Sequence, residues 1–329
     1  MTRMLSALVL SLIVVAPTFA QAMVDKPAVA QDTAKPAAPP PTIVQKVRDA
    51  IAEPDFKKAE KLVLDDMAAN GTTPIAIEAF SWLGRGAVAA KRYDEALAYA
   101  NRTYAIVEEQ LKTRKLDDEA RLPIALGAAI EVTALATAGQ GGRSDAILYL
   151  RRELDTYQGT SIVERLNKNI NLLGLEGTPA LPIESSEWIG TARASLASLK
   201  GKPVVLYLWA HWCGDCKSQA VALARVTAKY KDRGLAVIAP TRLYGSTEKK
   251  SENATVEEEN AESARVWKEL YKGRADVPVV VSEPVMVRYG VSTTPTFALI
   301  DRKGIVRLYH PGRLAESELE RHIEKLLAR

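Results

Sequence analysis

The feature that most constrains this chain is a pair of cysteines at the junction of a predicted strand and a predicted helix. Residues 203–209, PVVLYLW, form a near-continuous apolar run typical of a strand buried on both faces. Cys213 and Cys216 follow directly, where a helix is predicted to begin. Unpaired backbone amides at a helix N-terminus favour a thiolate. Cys213 is therefore the candidate nucleophile, and Cys216, one turn later, is the candidate resolving thiol.

Two other interpretations of the cysteine pair are a zinc site and an inert disulfide. The chain has 2 cysteines in 329 residues, too few for a disulfide scaffold. Zinc would need about two more ligands, and the three histidines (His211, His310 and His322) lie at no finger-like spacing. We therefore predict no metal and no other cofactor.

The residues around the motif alternate between strand and helix patterns. Further apolar runs typical of buried strands lie at 235–239, 277–282, 296–300 and 305–309, and helical patterns at 213–231, 257–272 and 316–327. The sequence DRKG joins the last two runs and predicts a hairpin with a glycine turn. Together these elements predict an α/β domain over 176–329, after a boundary rich in glycine and proline near 173–179.

Three stretches of this region resemble the thioredoxin superfamily or one of its branches. The sequence WAHWCGDCK at 209–217 resembles its active-site motif, and LKGKP at 199–203 resembles the exported TlpA/ResA-type thiol-disulfide oxidoreductases. The sequence TTPTF at 293–297, followed by LID and Gly304, resembles the proline loop and hairpin of the family. The resemblance spans about residues 176–329 and implies a thioredoxin-like fold.

The resemblance also implies roles for residues beside the cysteines. The Thr294–Pro295 bond is expected to be cis and to lie next to the two sulfurs, where the backbone receives the substrate chain. Trp212 is expected to shield Cys213 and to contact substrates, whereas Trp209 is expected in the core.

The sequence departs from the family at both usual proton acceptors. Tyr207 stands where thioredoxins have an acidic residue, and Gln219 stands where ResA-type proteins have a glutamate. Asp215 lies between the cysteines, where its negative charge should raise the pKa of the thiol and favour the disulfide form. Asp215 or a water is a candidate replacement acceptor. His211 could oppose Asp215 if protonated, but we expect a solvated imidazole in an exposed loop.

The acidic run at 257–259, EEE, is predicted to be a solvated helix N-terminus rather than a carboxylate site. Residues 242–256 are polar and charged, and they predict a loop that rims the site.

The N-terminal region predicts export. Residues 1–22 combine Arg3, an apolar run at 5–15 and small residues ending at Ala22, the pattern of a cleaved signal peptide. Cleavage after Ala20 and a retained anchor are the alternatives. Residues 23–42 are rich in alanine and proline and predict an extended linker. A periplasmic location is predicted, with full secretion as the alternative.

Residues 43–175 predict an all-α domain of helical hairpins. Three helix starts, at 55–59, 92–96 and 143–146, place similar residues before an alanine, and the middle one resembles a tetratricopeptide hairpin. Their unequal spacing favours a generic helical bundle over a regular repeat. Either arrangement could bind a protein partner or simply dock on the second domain.

The leading functional prediction is an exported thiol-disulfide oxidoreductase that reduces protein disulfides. The resemblance implies that a membrane donor supplies its electrons. A periplasmic oxidant or isomerase is one alternative. A helical binding module with a redox-sensitive thioredoxin-like dock is another. The 44 basic and 40 acidic residues are nearly balanced, which argues against a nucleic-acid partner.

Overall fold

The structure is a computed structural model that describes residues 40–271 and 276–328. The predicted signal peptide and most of the predicted linker lie outside the described residues. The described chain begins with a run of helices: α1 (Ile43–Ala52), α2 (Phe56–Asn70), α3 (Pro74–Ala89), α4 (Tyr93–Leu111), α5 (Arg121–Gly139), α6 (Arg143–Thr156) and α7 (Val163–Gly174).

Side chains at the helix starts explain where several of these helices begin. Thr42 and Asp55 accept backbone N–H groups at the starts of α1 and α2, and Thr73 does so ahead of Pro74 in α3. The three predicted starts coincide with α2, α4 and α6. The alanines that mark them, Ala59, Ala96 and Ala146, are fully buried.

Consecutive helices pack against one another, and α1, α3, α5 and α7 also form a series of neighbours. These alternate helices therefore make one layer of the helical part. By length and composition α5 could cross a membrane, yet its most apolar window is 56% buried among the neighbouring helices. It is the central core helix of this part.

The α/β part is built on a mixed sheet in the order β1-β4-β3-β2-β5-β6. Strand β2 pairs in parallel with β3 and antiparallel with β5, and β5 and β6 form the predicted hairpin. The strands are β1 (Glu187–Ile189), β2 (Val204–Leu208), β3 (Ala236–Thr241), β4 (Val279–Val281), β5 (Thr296–Ile300) and β6 (Val306–Pro311). The thioredoxin-like fold predicted for this region is confirmed.

Helices cover both faces of this sheet: α8 (Gly214–Lys229), α9 (Val256–Leu270), α10 (Glu283–Arg288) and α11 (Glu316–Leu327). Alternate residues of β2 supply two separate cores. Val205 and Tyr207 pack with residues of α8, α9 and α11, whereas Val204, Leu206 and Leu208 pack with residues of α10. A strand buried on both faces is the physical reason for its continuous apolar sequence.

Helix α7 joins the helical part to the α/β part through close backbone contact with α10 and the turn that follows it. Gly290 has a φ of +65°, and a Cβ there would lie 2.1 Å from the backbone nitrogen of Lys168 in α7. The amide groups of Asn167 and Asn171 donate to the carbonyl oxygens of Val287 and Arg288 at 3.0 and 3.1 Å. The contact is therefore specific and leaves no room for a side chain at Gly290.

Candidate active site

Cys213 occupies the N-cap position of α8, at the end of the loop that leaves β2. Its Sγ accepts the backbone N–H of Cys216 at 3.1 Å. Both cysteines are free thiols, with 6% of Cys213 and 1% of Cys216 exposed. Cys213 is therefore the more exposed of the two cysteines, and Cys216 is almost completely buried.

The two thiols have opposite pKa shifts. Hydrogen bonding from the Cys216 side chain, aided by Thr294 and the Cys216 backbone, lowers the pKa of Cys213 to about 6. Burial and the Asp215 charge oppose this shift without cancelling it. Burial, together with the hydrogen bond to Cys213, raises the pKa of Cys216 well above its usual range. The site therefore concentrates negative charge on the Cys213 sulfur near neutral pH.

The proline loop lies against the Cys213 sulfur. The Thr294–Pro295 bond is cis, as the resemblance implied. The Sγ of Cys213 lies 3.5 Å from the carbonyl oxygen of Thr294. The N–H of Gly312 donates to the Pro295 carbonyl at 2.7 Å, which ties the loop to the residue that follows β6. The structure thus brings Thr294 and Pro295 together with the cysteines.

The two tryptophans beside the motif lie in different surroundings. Trp209 is 1% exposed and packs on Trp267 of α9, with ring centroids 5.1 Å apart. Trp212 is 55% exposed, and its ring meets Tyr244 edge-on at 5.4 Å. Tyr244 lies in the predicted rim loop, so this loop reaches the motif through Trp212.

The expectation of a solvated His211 is wrong. His211 is 2% exposed, and its Nε2 lies 3.1 Å from Oε1 of Glu259, which is 1% exposed. Glu259 also accepts the backbone N–H groups of Tyr244 and Gly245 at 2.5 and 2.8 Å. The prediction that the EEE run is wholly solvated is wrong for the same reason. The Glu259 carboxylate is buried, and its hydrogen bonds join the loop that carries His211 to the predicted rim loop.

Asp215 lies at the surface, with its side chain 62% exposed and one oxygen 3.5 Å from the Arg313 guanidinium. Tyr207 and Gln219, which stand where the family has acidic residues, are buried, and each forms a hydrogen bond with a backbone group. The Tyr207 hydroxyl donates to the Cys216 carbonyl at 2.7 Å, and Gln219 Oε1 accepts the Leu314 N–H at 2.9 Å. Among the described residues, no group of His, Cys, Asp and Glu side chains is arranged to hold a metal ion.

Comparisons with known proteins agree with this chemistry. A family model described as Redoxin matches residues 190–324. The thioredoxin-like protein YneN of Bacillus subtilis (strain 168) is 25% identical over 169 residues, 51% of this chain and 89% of that protein. The thiol-disulfide oxidoreductase ResA of Bacillus anthracis is 25% identical over 134 residues, 41% of this chain and 69% of that protein. The thiol:disulfide interchange protein DsbE of Xylella fastidiosa (strain Temecula1 / ATCC 700964) is 28% identical over 137 residues, 41% of this chain and 59% of that protein.

Proposed function

We propose that this chain, an oxidoreductase of the thioredoxin superfamily, reduces protein disulfides with Cys213 as nucleophile and Cys216 as resolving thiol. The observation that carries the proposal is the placement of Cys213 as the N-cap of α8. There its sulfur accepts a backbone N–H and has a pKa of about 6, beside a buried partner thiol.

The reaction proceeds by two thiol-disulfide exchanges. The Cys213 thiolate attacks one sulfur of the substrate disulfide, forms a mixed disulfide and releases the other substrate sulfur as a thiolate. Cys216 then loses its proton and attacks the Cys213 sulfur, which releases the second substrate thiolate. The substrate gains two electrons and the protein is left with a Cys213–Cys216 disulfide. An external dithiol donor must return it to the reduced state.

The pKa of Cys213 supports the reducing direction. A low pKa in the nucleophilic thiol stabilises the reduced form and makes the couple more oxidising. The value of about 6 is nearer to that of thioredoxin, about 7, than to that of the oxidant DsbA, about 3.5. Asp215 contributes by opposing the fall in pKa.

Substrate contact is assigned to the exposed side of the site. Trp212 offers an accessible indole beside Cys213, and the loop at Thr294 and Pro295 flanks the sulfur. A substrate strand that follows this loop would bring its disulfide to the Cys213 sulfur. The proposal also includes export to the periplasm, based on the sequence pattern of residues 1–22, and a membrane electron donor.

The proton acceptor for Cys216 is proposed to be Asp215, directly or through a water. Asp215→Asn should then slow resolution of the mixed disulfide without removing the nucleophile. Stopped-flow release of the second substrate thiol measures this step. Resolution at the wild-type rate would remove Asp215 from this role.

Trapping experiments test the main assignment. Cys216→Ser should accumulate a mixed disulfide through Cys213, and Cys213→Ser should neither reduce nor trap a peptide disulfide. Mass spectrometry of the trapped adduct identifies the bonded cysteine. Trapping through residue 216 in the Cys213→Ser variant, at the rate seen through residue 213, would reverse the two roles.

A further inference from the structure

A line of side chains crosses the layer made by α1, α3, α5 and α7. Arg48 of α1 and Arg85 of α3 both stack on the Trp82 ring, with their guanidinium carbons 4.5 and 4.4 Å from its centroid. Arg85 and Arg165 of α7 both donate to the Ile124 carbonyl, at 3.3 and 3.1 Å. We call these five residues, Arg48, Trp82, Arg85, Ile124 and Arg165, the helical stripe.

The helical stripe ends in a cleft beside the proline loop. Ile124 and Arg165 line this cleft together with Ser292, which lies two residues before Thr294. The cleft is a shallow depression, mostly open to solvent, with a volume of about 450 Å³. The stripe is therefore continuous with the loop that flanks the Cys213 sulfur.

Two of the three arginines of the helical stripe have no salt-bridge partner among the described residues, whereas Arg165 pairs with Glu131. Within the described residues, neither Arg48 nor Arg85 forms a salt bridge, and Arg85 Nε has no hydrogen-bond partner. The nearby carboxylates have other partners: Glu78 pairs with Arg121, and Glu131 pairs with Arg165 and Lys168.

The pKa of Arg85 reflects both its burial and the charges around it. Burial, aided by the neighbouring Arg165, lowers the pKa of Arg85 to about 10, while the charges of Glu131 and Glu78 oppose this shift without cancelling it. The carboxylate in the cleft, Asp117, accepts hydrogen bonds from the backbone N–H and the hydroxyl of Ser161. An anionic group on the stripe would meet arginines already held in place by an aromatic ring.

We propose that the helical stripe binds an acidic polypeptide segment of the disulfide substrate and leads it into the proline loop. This inference rests on the proposed function, because it assigns a substrate class to that site. The axes of packed helices are about 8 to 10 Å apart, so the three steps from α7 through α5 and α3 to α1 span roughly 24 to 30 Å. An extended segment of roughly seven to nine residues, at about 3.3 Å each, would cross this distance.

Matched peptide disulfides test the proposal on the intact chain. Three symmetric peptide disulfides are compared. Each peptide carries one cysteine and a ten-residue arm that contains four glutamates, four glutamines or four lysines. Each peptide is made in two forms, with the arm before or after the cysteine. The neutral bis(2-hydroxyethyl) disulfide reports Cys213 chemistry without the stripe. The rate constant for oxidation of the reduced protein is measured for each.

We expect the glutamate peptide to react about threefold to tenfold faster than the glutamine peptide, the effect of one ion pair at the exposed Arg48 and one at the partly buried Arg85. Raising the salt concentration should shrink this preference, because exposed charges are screened. Arg48→Gln and Arg85→Gln should each reduce it. Arg48→Glu should shift the preference toward the lysine peptide, and Arg48 is exposed enough for this change to leave the fold intact.

Arg151→Gln is the matched control, because Arg151 is an exposed arginine of α6 outside the layer. It should keep the full preference, and every variant should reduce the small disulfide at the wild-type rate. Equal rates with all three peptides, alongside normal reduction of the small disulfide, would overturn the stripe and leave the proposed function standing. Failure to reduce the small disulfide would overturn the proposed function, and the stripe proposal with it.

Discussion

At the scale of single residues, two sulfur atoms three positions apart have opposite environments. Cys213 lies at the N-cap, where its sulfur accepts an N–H, and Cys216 is enclosed behind it. A thiolate is therefore favoured only at the sulfur that substrates can reach. This division is the physical basis for separate nucleophilic and resolving roles.

The lowered pKa of Cys213 predicts the pH dependence of its reactivity. Alkylation of Cys213 by iodoacetamide should increase as pH rises, with a midpoint at about 6, because only the thiolate reacts. Cys216→Ala removes the side chain that contributes most to this shift, so the midpoint should move upward. An unchanged midpoint in the Cys216→Ala variant would mean that groups other than the Cys216 side chain stabilise the Cys213 thiolate.

The buried His211–Glu259 pair predicts a stability effect. Glu259→Ala would leave His211 and the N–H groups of Tyr244 and Gly245 without their acceptor. We expect the free energy of unfolding to fall by about 2 to 4 kcal/mol, measured by urea denaturation. Glu257→Ala, an exposed change on the same turn, should cost no more than about 0.5 kcal/mol. Equal losses in the two variants would contradict a linking role for Glu259.

At the scale of elements, local sequence patterns predict β2 to β6 and α8, α9 and α11 to within about two residues, and in the helical part they predict the starts of α2, α4 and α6. Apolar runs mark β2 to β6, since strands covered by helices need apolar side chains on both faces. The sequence does not predict β1 or α10. Strand β1 has three residues and none is buried, and α10 has only six residues, so neither shows a periodic pattern.

The inward turn of Glu259 also escaped prediction. Its neighbours Glu257 and Glu258 are exposed, and Glu258 forms a capping box with Thr255. Three adjacent carboxylates look alike in sequence. The partners of Glu259 come from residues 211, 244 and 245, so only the tertiary structure distinguishes it.

The close contact of α10 with α7 predicts a severe effect of a small substitution. Gly290→Ala would place a methyl group on the α7 backbone at a positive φ, and the free energy of unfolding should fall by about 3 kcal/mol or more. Gly304→Ala also has a positive φ but meets open space, so it should cost about 1 to 2 kcal/mol. Thermal denaturation of both variants separates the cost of the steric clash from the cost of backbone strain. Equal losses of stability in the two variants would show that α7 shifts to make room for the added methyl group.

At the scale of the whole molecule, the helical part and the α/β part form one compact unit from Pro41 onward. The sequence predicts both parts and the motif that reacts, because each depends on short-range patterns. It does not predict that α7 reaches α10, or that a line of arginines ends beside the proline loop. Those features depend on contacts between residues more than a hundred positions apart.

The reduction potential of the Cys213–Cys216 couple decides whether the protein reduces or oxidises its substrates. Equilibration of the purified protein with thiol-disulfide buffers of defined ratio measures it, with the disulfide content read by mass spectrometry. We expect a single two-electron transition at about −230 mV or below, in the range of thioredoxin-like reductants. A value of about −120 mV, that of the oxidant DsbA, would contradict the proposed direction of electron flow.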